Sequence, residues 1–253
     1  QKNQGDWEKA LSSYHRCLEI VERIGDIEGT VIAYTNLGVL YTDLGKWDEA
    51  ERHLLWDLKL AQQLANPYHL AQAHRNLGRM YLLRKQWNKS AQNLNAAISL
   101  YRETGARGQL ELVNTQFLRG WLNLEQGYLE IAREAAQTSY DLLQAFARDE
   151  AEIAVEKGRC EMLLARLAQA RGDTHDARKH IEESLQLFHR SGATVDEARS
   201  RYWSARFYLD CEATQQAHDE LLRAREIFAH LGAAADLQET EAALAQLEHE
   251  TAH

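Results

Sequence analysis

Six segments of this chain follow one another at nearly fixed spacing, and side chains of one kind recur at the same places within them. They begin at Gly5-Asp6-Trp7, Gly45-Lys46-Trp47, Lys85-Gln86-Trp87, Gly127-Tyr128-Leu129, Gly172-Asp173-Thr174 and Glu212-Ala213-Thr214, so successive starts lie 40, 40, 42, 45 and 40 residues apart. Five residues after each start stands a small residue: Ala10, Ala50, Ser90, Ala132, Ala177 and Ala217. Fifteen residues after it stands an aliphatic one: Ile20, Leu60, Leu100, Leu142, Leu187 and Ile227. Twenty residues after it come Gly25, Ala65, Gly105, Ala147, Gly192 and Gly232. An internal period of this length belongs to a stacked-repeat architecture and outranks any local signal.

Apolar residues spaced three and four apart place one stripe on an α-helix. The small residue in the first turns lets a second helix approach closely. Glycine at the last offset suits a left-handed C-cap, where a β-carbon is costly. We name this helix B. Between each cap and the next start lies a second segment, helix A, clearest in Tyr34-x2-Leu37-Gly38-x2-Tyr41 and His74-x2-Leu77-Gly78-x2-Tyr81, and present in altered form as Arg201-x2-Ser204-Ala205-x2-Tyr208. Asp26 and Asn66 stand where N-caps are expected, with Pro67 in the first turn. Pro67 is the one proline in 253 residues, as expected of a chain that is nearly all helix. The cap-to-start interval is 20 residues in three cases but 22 before Gly127 and 25 before Gly172, which predicts a helix A about one turn longer in the latter repeat.

These residues resemble the tetratricopeptide repeat, whose helix A carries an aromatic, Leu-Gly and Tyr, and whose helix B carries Ala followed by an aromatic or aliphatic residue. Tyr34, Leu37, Gly38, Tyr41, Ala50 and Leu54 match it in order. In later repeats Leu-Gly becomes Arg119-Gly120 and Leu164-Ala165. The period is similar to the 40-residue variant of kinesin light chain, and to arrays in bacterial signalling ATPases and transcription regulators, which Leu187–Gly192 and Ile227–Gly232 also resemble. The resemblance implies an all-α fold, a right-handed α-α superhelix of about six hairpins whose A helices line a concave groove. The expected division is a helix B over 5–25, repeats over 26–65, 66–105, 106–147, 148–192 and 193–232, and a terminal helix over 236–250.

A formal charge of −9 speaks against a nucleic-acid partner or an anionic membrane. Three scattered cysteines without a CxxC suit a reducing cytoplasm, and no stretch is apolar enough for a membrane span. The absence of an initiator methionine suggests a piece of a longer protein with an upstream domain. No GxSxG, HExxH, phosphate-binding glycine loop or zinc-spaced Cys/His cluster occurs, which predicts no catalysis, no metal and no cofactor. Gly105-Ala106-Arg107-Gly108 reads as a turn. His175 and His180, five apart, read as solvated. Cys17 shares its offset with Ala97 and Ala224 and reads as packed, and Trp7, Trp47 and Trp87 share another as core anchors.

The candidate site lies on helix A. Residues a third of a turn from the packed stripe are Ile32, Thr35 and Val39 in the first full repeat, Gln72, Arg75 and Arg79 in the second, and Arg199, Tyr202 and Arg206 in the fifth. These nine hold four arginines and no acid, where the 29 Lys and Arg of the whole chain predict about one basic residue. Counting back from helix B adds Asn114, Phe117 and Trp121, then Arg159, Met162 and Arg166. Arginine forks grip carboxylates and phosphates at two points. The expected ligand is therefore a protein or peptide with an acidic segment, met by Arg75, Arg79, Trp121, Arg166, Arg199, Tyr202 and Arg206. The resemblance adds Asn36 and Asn76, which precede Leu-Gly where peptide-binding tetratricopeptide arrays often hydrogen-bond a ligand backbone. Two readings stay open: an interaction scaffold, or the ligand-sensing region of a larger bacterial regulator.

Overall fold

A computed structural model describes residues 4–146 and 150–251. Among the described residues it contains twelve α-helices and no strand: α1 (Gln4–Ile24), α2 (Ile27–Asp43), α3 (Trp47–Leu64), α4 (Pro67–Leu83), α5 (Trp87–Glu103), α6 (Gln109–Glu125), α7 (Leu129–Phe146), α8 (Glu150–Ala170), α9 (Thr174–Ser191), α10 (Thr194–Asp210), α11 (Thr214–Leu231) and α12 (Ala234–Thr251). The even-numbered helices fill the helix A positions and the odd-numbered ones the helix B positions. The fold is a stack of helical hairpins.

The chain divides into two compact units, Gln4–Gln126 and the part from Gly127 onward. In the first, α1 to α6 each pack on the next, and α4 also packs on α2 and α6. In the second, α7 to α12 do the same, and α8 packs on α10. α2, α4, α8 and α10 thus each touch the B helices on both sides and a neighbouring A helix. This is how repeats without a core of their own bury apolar surface.

The recurring residues sit where this packing needs them. Ala50, Ser90, Ala132, Ala177 and Ala217 are fully buried. A β-carbon on Gly38 would lie 2.4 Å from Leu54 Cδ2, and one on Gly78 would lie 2.7 Å from Leu94 Cδ2, so Leu-Gly marks the closest approach of the two helices in a hairpin. Ser90 adds a hydrogen bond across the second hairpin, donating to the Gly78 carbonyl at 2.9 Å. Asp26 and Asn66 cap α2 and α4 by accepting from the backbone N–H of Gly29 and Tyr68. Gly25, Gly105, Gly192 and Gly232 take positive φ as expected, and Ala65 takes it at φ 50° despite its β-carbon. Ala147 lies outside the described residues. The middle residue of each A-to-B turn also has positive φ, including Lys85 and Glu212.

The irregular intervals are absorbed locally. The two extra residues before Gly127 accompany a 3-10 turn over Gly105–Gly108, and the longer interval before Gly172 accompanies an α8 of 21 residues against 17 in α2, α4, α6 and α10. Two expectations are corrected. Cys17 is exposed, because α1 packs mainly on α2 and leaves that face uncovered. His180 is not simply solvated: its Nδ1 lies 2.6 Å from the buried Glu161 carboxylate, which raises its pKa. Trp7 is buried, while Trp47 and Trp87 are half-buried against the core of their hairpins.

Candidate functional site

In the first unit, Arg75 and Arg79 lie one turn apart on α4, each reaching to a neighbouring A helix. Arg79 Nη2 donates to Asp43 Oδ1 at the end of α2, at 2.5 Å. Arg75 Nη1 pairs with Glu111 in the first turn of α6, and its Nη2 donates to Asn76 Oδ1 at 3.3 Å. The arginine side chains are 18 % and 23 % exposed, so both are more buried than a freely solvated groove lining. Asn76 is 5 % exposed with no acceptor for its Nδ2. Asn36 is half-buried on α2. Trp121, half-buried on α6, donates from Nε1 to Glu125 at 2.9 Å.

Around Arg75 the surroundings are polar and aromatic. Tyr68 stands edge-on to Tyr101 at 6.0 Å, and the Arg107 guanidinium covers the Tyr68 ring at 4.6 Å. Burial, with the Glu111 carboxylate beside it, raises the Tyr68 pKa. The Tyr101 hydroxyl is buried without a partner. Nearby on α3, Asp57 is wholly buried; Thr35 donates to its Oδ2 at 2.9 Å and its Oδ1 has no partner. Burial pushes its pKa up to about 7, and the Thr35 hydrogen bond offsets only part of that rise. Thr35 is thereby corrected: it is buried and turned toward helix B rather than outward.

In the second unit the A helices are tied by two forked pairs. Arg159 donates from Nε and Nη2 to the two carboxylate oxygens of Asp196, at 2.8 and 2.9 Å. Arg199 does the same to Asp236, at 3.1 and 2.8 Å. Burial works against the Arg159 charge, but the carboxylates of Asp196 and Glu156 more than offset it, so its pKa is raised. Met162 is buried, a second correction to the expected outward face. One period apart in the repeat, Arg166 and Arg206 lie against the same indole: their guanidinium carbons sit 3.7 and 4.8 Å from the centre of Trp203. Tyr202 packs edge-on to Trp203 at 5.5 Å. Arg206 is exposed, and Arg166 and Tyr202 are half-buried.

The structure thus groups the predicted residues by unit: Asn36, Arg75, Asn76, Arg79 and Trp121 in the first, and Arg166, Arg199, Tyr202 and Arg206 in the second. Sequence reasoning missed Glu111, Asp43 and Asp236, the carboxylates that already hold three of the arginines, as well as Asp57 and Trp203. Among the described residues no group of His, Cys, Asp and Glu could hold a metal ion, and no helix is long and apolar enough to cross a membrane.

The comparisons with known proteins agree with the fold. No curated protein matches the chain in sequence. Among solved structures it is similar to NprR in complex with its cognate peptide NprX, at a TM-score of 0.72 and 17 % identity, over 92 % of this chain and 66 % of NprR. It is similar to BtubC (BKLC) from P. vanneervenii, at a TM-score of 0.64 and 18 % identity, over 89 % of this chain and 92 % of that one. The apo form of RapI matches at a TM-score of 0.67 and 13 % identity, over 90 % and 77 %. A tetratricopeptide-repeat family model matches residues 2–63 and 36–103. Residues 2–103 thus carry tetratricopeptide repeats by this match, and helical hairpins continue through the described residues that follow.

Proposed function

We propose that the chain is a non-catalytic interaction module that binds a peptide or partner segment along its A helices, with a preference for acidic segments. The observation that carries this reading is the pair of arginines around Trp203. Arg166 and Arg206 come from adjacent repeats and lie on one aromatic ring, which gathers two guanidinium charges at one place on α8 and α10, a setting that attracts a carboxylate. Tyr202 adds an aromatic contact on α10, and in the first unit Asn36, Asn76 and Trp121 supply amide and aromatic groups on α2, α4 and α6. Arg75 and Arg79 in the first unit and Arg199 in the second lie on A helices as well, each engaged with a carboxylate of the chain itself. NprR, of similar fold, is known in complex with a cognate peptide, which supports a peptide as the ligand class.

A second reading is the ligand-sensing region of a larger cytoplasmic regulator, joined to an upstream domain. It is favoured by the match to NprR, described as a quorum sensor, of which this chain spans 66 %. Selection of peptides from a random displayed library tests the common core of both. Acidic peptides should be enriched, their binding should weaken with salt, and Arg166→Gln with Arg206→Gln should weaken it further without changing the melt. Enrichment of basic or purely apolar peptides, or indifference to both substitutions, contradicts the reading.

A further inference from the structure

Arg75 differs from Arg159 and Arg199, which also bridge A helices. Arg159 and Arg199 each commit Nε and Nη2 to both oxygens of an aspartate, so their forks are filled. Arg75 meets Glu111 through Nη1, and its Nε is buried with no acceptor. Directly beside it, Asn76 is 5 % exposed, spends its Oδ1 on Arg75, and has no acceptor for its Nδ2. The Tyr101 hydroxyl, within the field of Arg75 and Glu111, is also buried and unpartnered. Buried donors are almost always satisfied in folded proteins, so adjacent unsatisfied ones demand an acceptor. The acceptors that suit these donors are oxygens: a carboxylate broad enough to fill the Arg75 fork, and a carbonyl for Asn76.

We propose that Glu111 holds, in the ligand-free chain, the place of a ligand carboxylate on Arg75, and that a peptide's side-chain or terminal carboxylate binds there by displacing it. The inference rests on the reading that the A helices bind peptide. Glu111 is suited to give way. It stands in the first turn of α6, its side chain is 21 % exposed, and it holds Arg75 at one guanidinium nitrogen only. A ligand carboxylate would use the fork at two points, with the Asn76 amide free to donate to the adjacent peptide carbonyl. The Glu111 carboxylate would turn to solvent, and its departure would uncover Asn76. An acidic ligand therefore competes with an intramolecular acid, and removing that acid's charge should favour the ligand.

The test uses three acetylated hexapeptides. One alternates alanine and glutamate and is amidated, one alternates alanine and glutamine with a free C-terminal carboxylate, and one is the same glutamine peptide amidated. Side-chain amide and guanidinium NH resonances of Asn76 and Arg75 are followed by NMR in the wild type, Glu111→Gln and Arg75→Gln, each checked for an unchanged helical melt. Glu111→Gln, which keeps an oxygen acceptor for Arg75 and Tyr68, should reach half-saturation at several-fold lower concentration of a carboxylate-bearing peptide than the wild type. Arg75→Gln should abolish the Asn76 shift, and the neutral peptide should shift neither residue. The two acidic peptides tell a side-chain from a terminal carboxylate. If Glu111→Gln binds no more tightly than the wild type while peptide still shifts other A-helix resonances, the inference fails and the peptide-binding reading stands. If no peptide shifts any A-helix resonance in any variant, both fall.

Discussion

Thr35 donates a hydrogen bond of 2.9 Å to a carboxyl group, that of Asp57, which has no exposure to solvent. The other repeats place Cys17, Ala97, Ser139, Ser184 and Ala224 at the offset of Asp57, so an acid occupies a slot built for a small side chain. Burial holds its pKa near 7, above the 3.8 of the free group. A raised carboxyl pKa means that the folded chain holds a proton the unfolded chain has released. The stabilisation is fully present below about pH 4 and is lost as the pH rises through 7. Asp57→Asn should remove this slope and make the chain more stable than the wild type at pH 8, by on the order of 4 kcal/mol. Chemical denaturation at pH 5, 6, 7 and 8 measures it. A wild-type stability that does not fall across this range, with Asp57→Asn no more stable at pH 8, contradicts the assignment.

His53 gives the opposite slope. Burial first, then the charges of Arg52 and His15, push its pKa down to about 4, and neither ring nitrogen has a partner. The unfolded chain takes up a proton near pH 6.5 that the folded one refuses, so this group's contribution falls as the pH drops from 6.5 toward 4. In an Asp57→Asn background, stability should therefore decline on acidification, and His53→Phe, stacked on Tyr41 as His53 is at 5.2 Å, should lessen the decline. NMR titration of the His53 ring gives the pKa directly, and a value above 6 rules this out.

The contact of Gly38 with Leu54 predicts an asymmetry between two small substitutions. Gly38→Ala or Gly78→Ala forces the methyl into the leucine of the facing helix and should cost roughly 1–3 kcal/mol, as should Ala50→Leu. Ala65→Gly, at a C-cap with φ of 50°, should be stabilising by up to about 1 kcal/mol. Thermal melts of the four variants decide the matter. Equal effects would mean that the helices of a hairpin do not approach at the Leu-Gly position.

Most of the fold could be read from the sequence, because a period of about 40 residues repeats the packing environment and so repeats the residues that suit it. Gly38, Gly78, Ala50 and Gly192 announce a close approach or a cap by side-chain size alone. The site was only half legible. Arg75, Arg79 and Arg199 were placed by their phase within one helix, and their partners were overlooked because these lie about one repeat away: Glu111 and Asp43 at 36 residues, Asp236 at 37. Neighbouring A helices bring residues of this separation side by side, so a search one period along finds the carboxylates. The same rule applied within a hairpin pairs His180 with Glu161 and Arg201 with Glu220, both 19 apart. Asp57 escaped notice because a lone acid in a helix gives no sign of which face it occupies.

The forked pairs carry a prediction of their own. Arg199 and Asp236 are 21 % and 20 % exposed and joined at two points, so Arg199→Ala should cost about 1–3 kcal/mol by leaving a half-buried carboxylate unpaired. A double-mutant cycle with Asp236→Asn should return a coupling energy of similar sign. A coupling of zero would show the pair to be an ornament of the surface.

Photo-crosslinking tests the central claim, binding along the A helices, most directly. An acidic peptide taken from the displayed-library selection, carrying one photoreactive residue, is cross-linked to the chain and the attachment points are mapped by mass spectrometry. The account predicts attachment within α2, α4 and α6 or within α8 and α10, lost in the presence of excess unlabelled peptide. Competed attachment confined to α3, α5, α9 and α11 would contradict it.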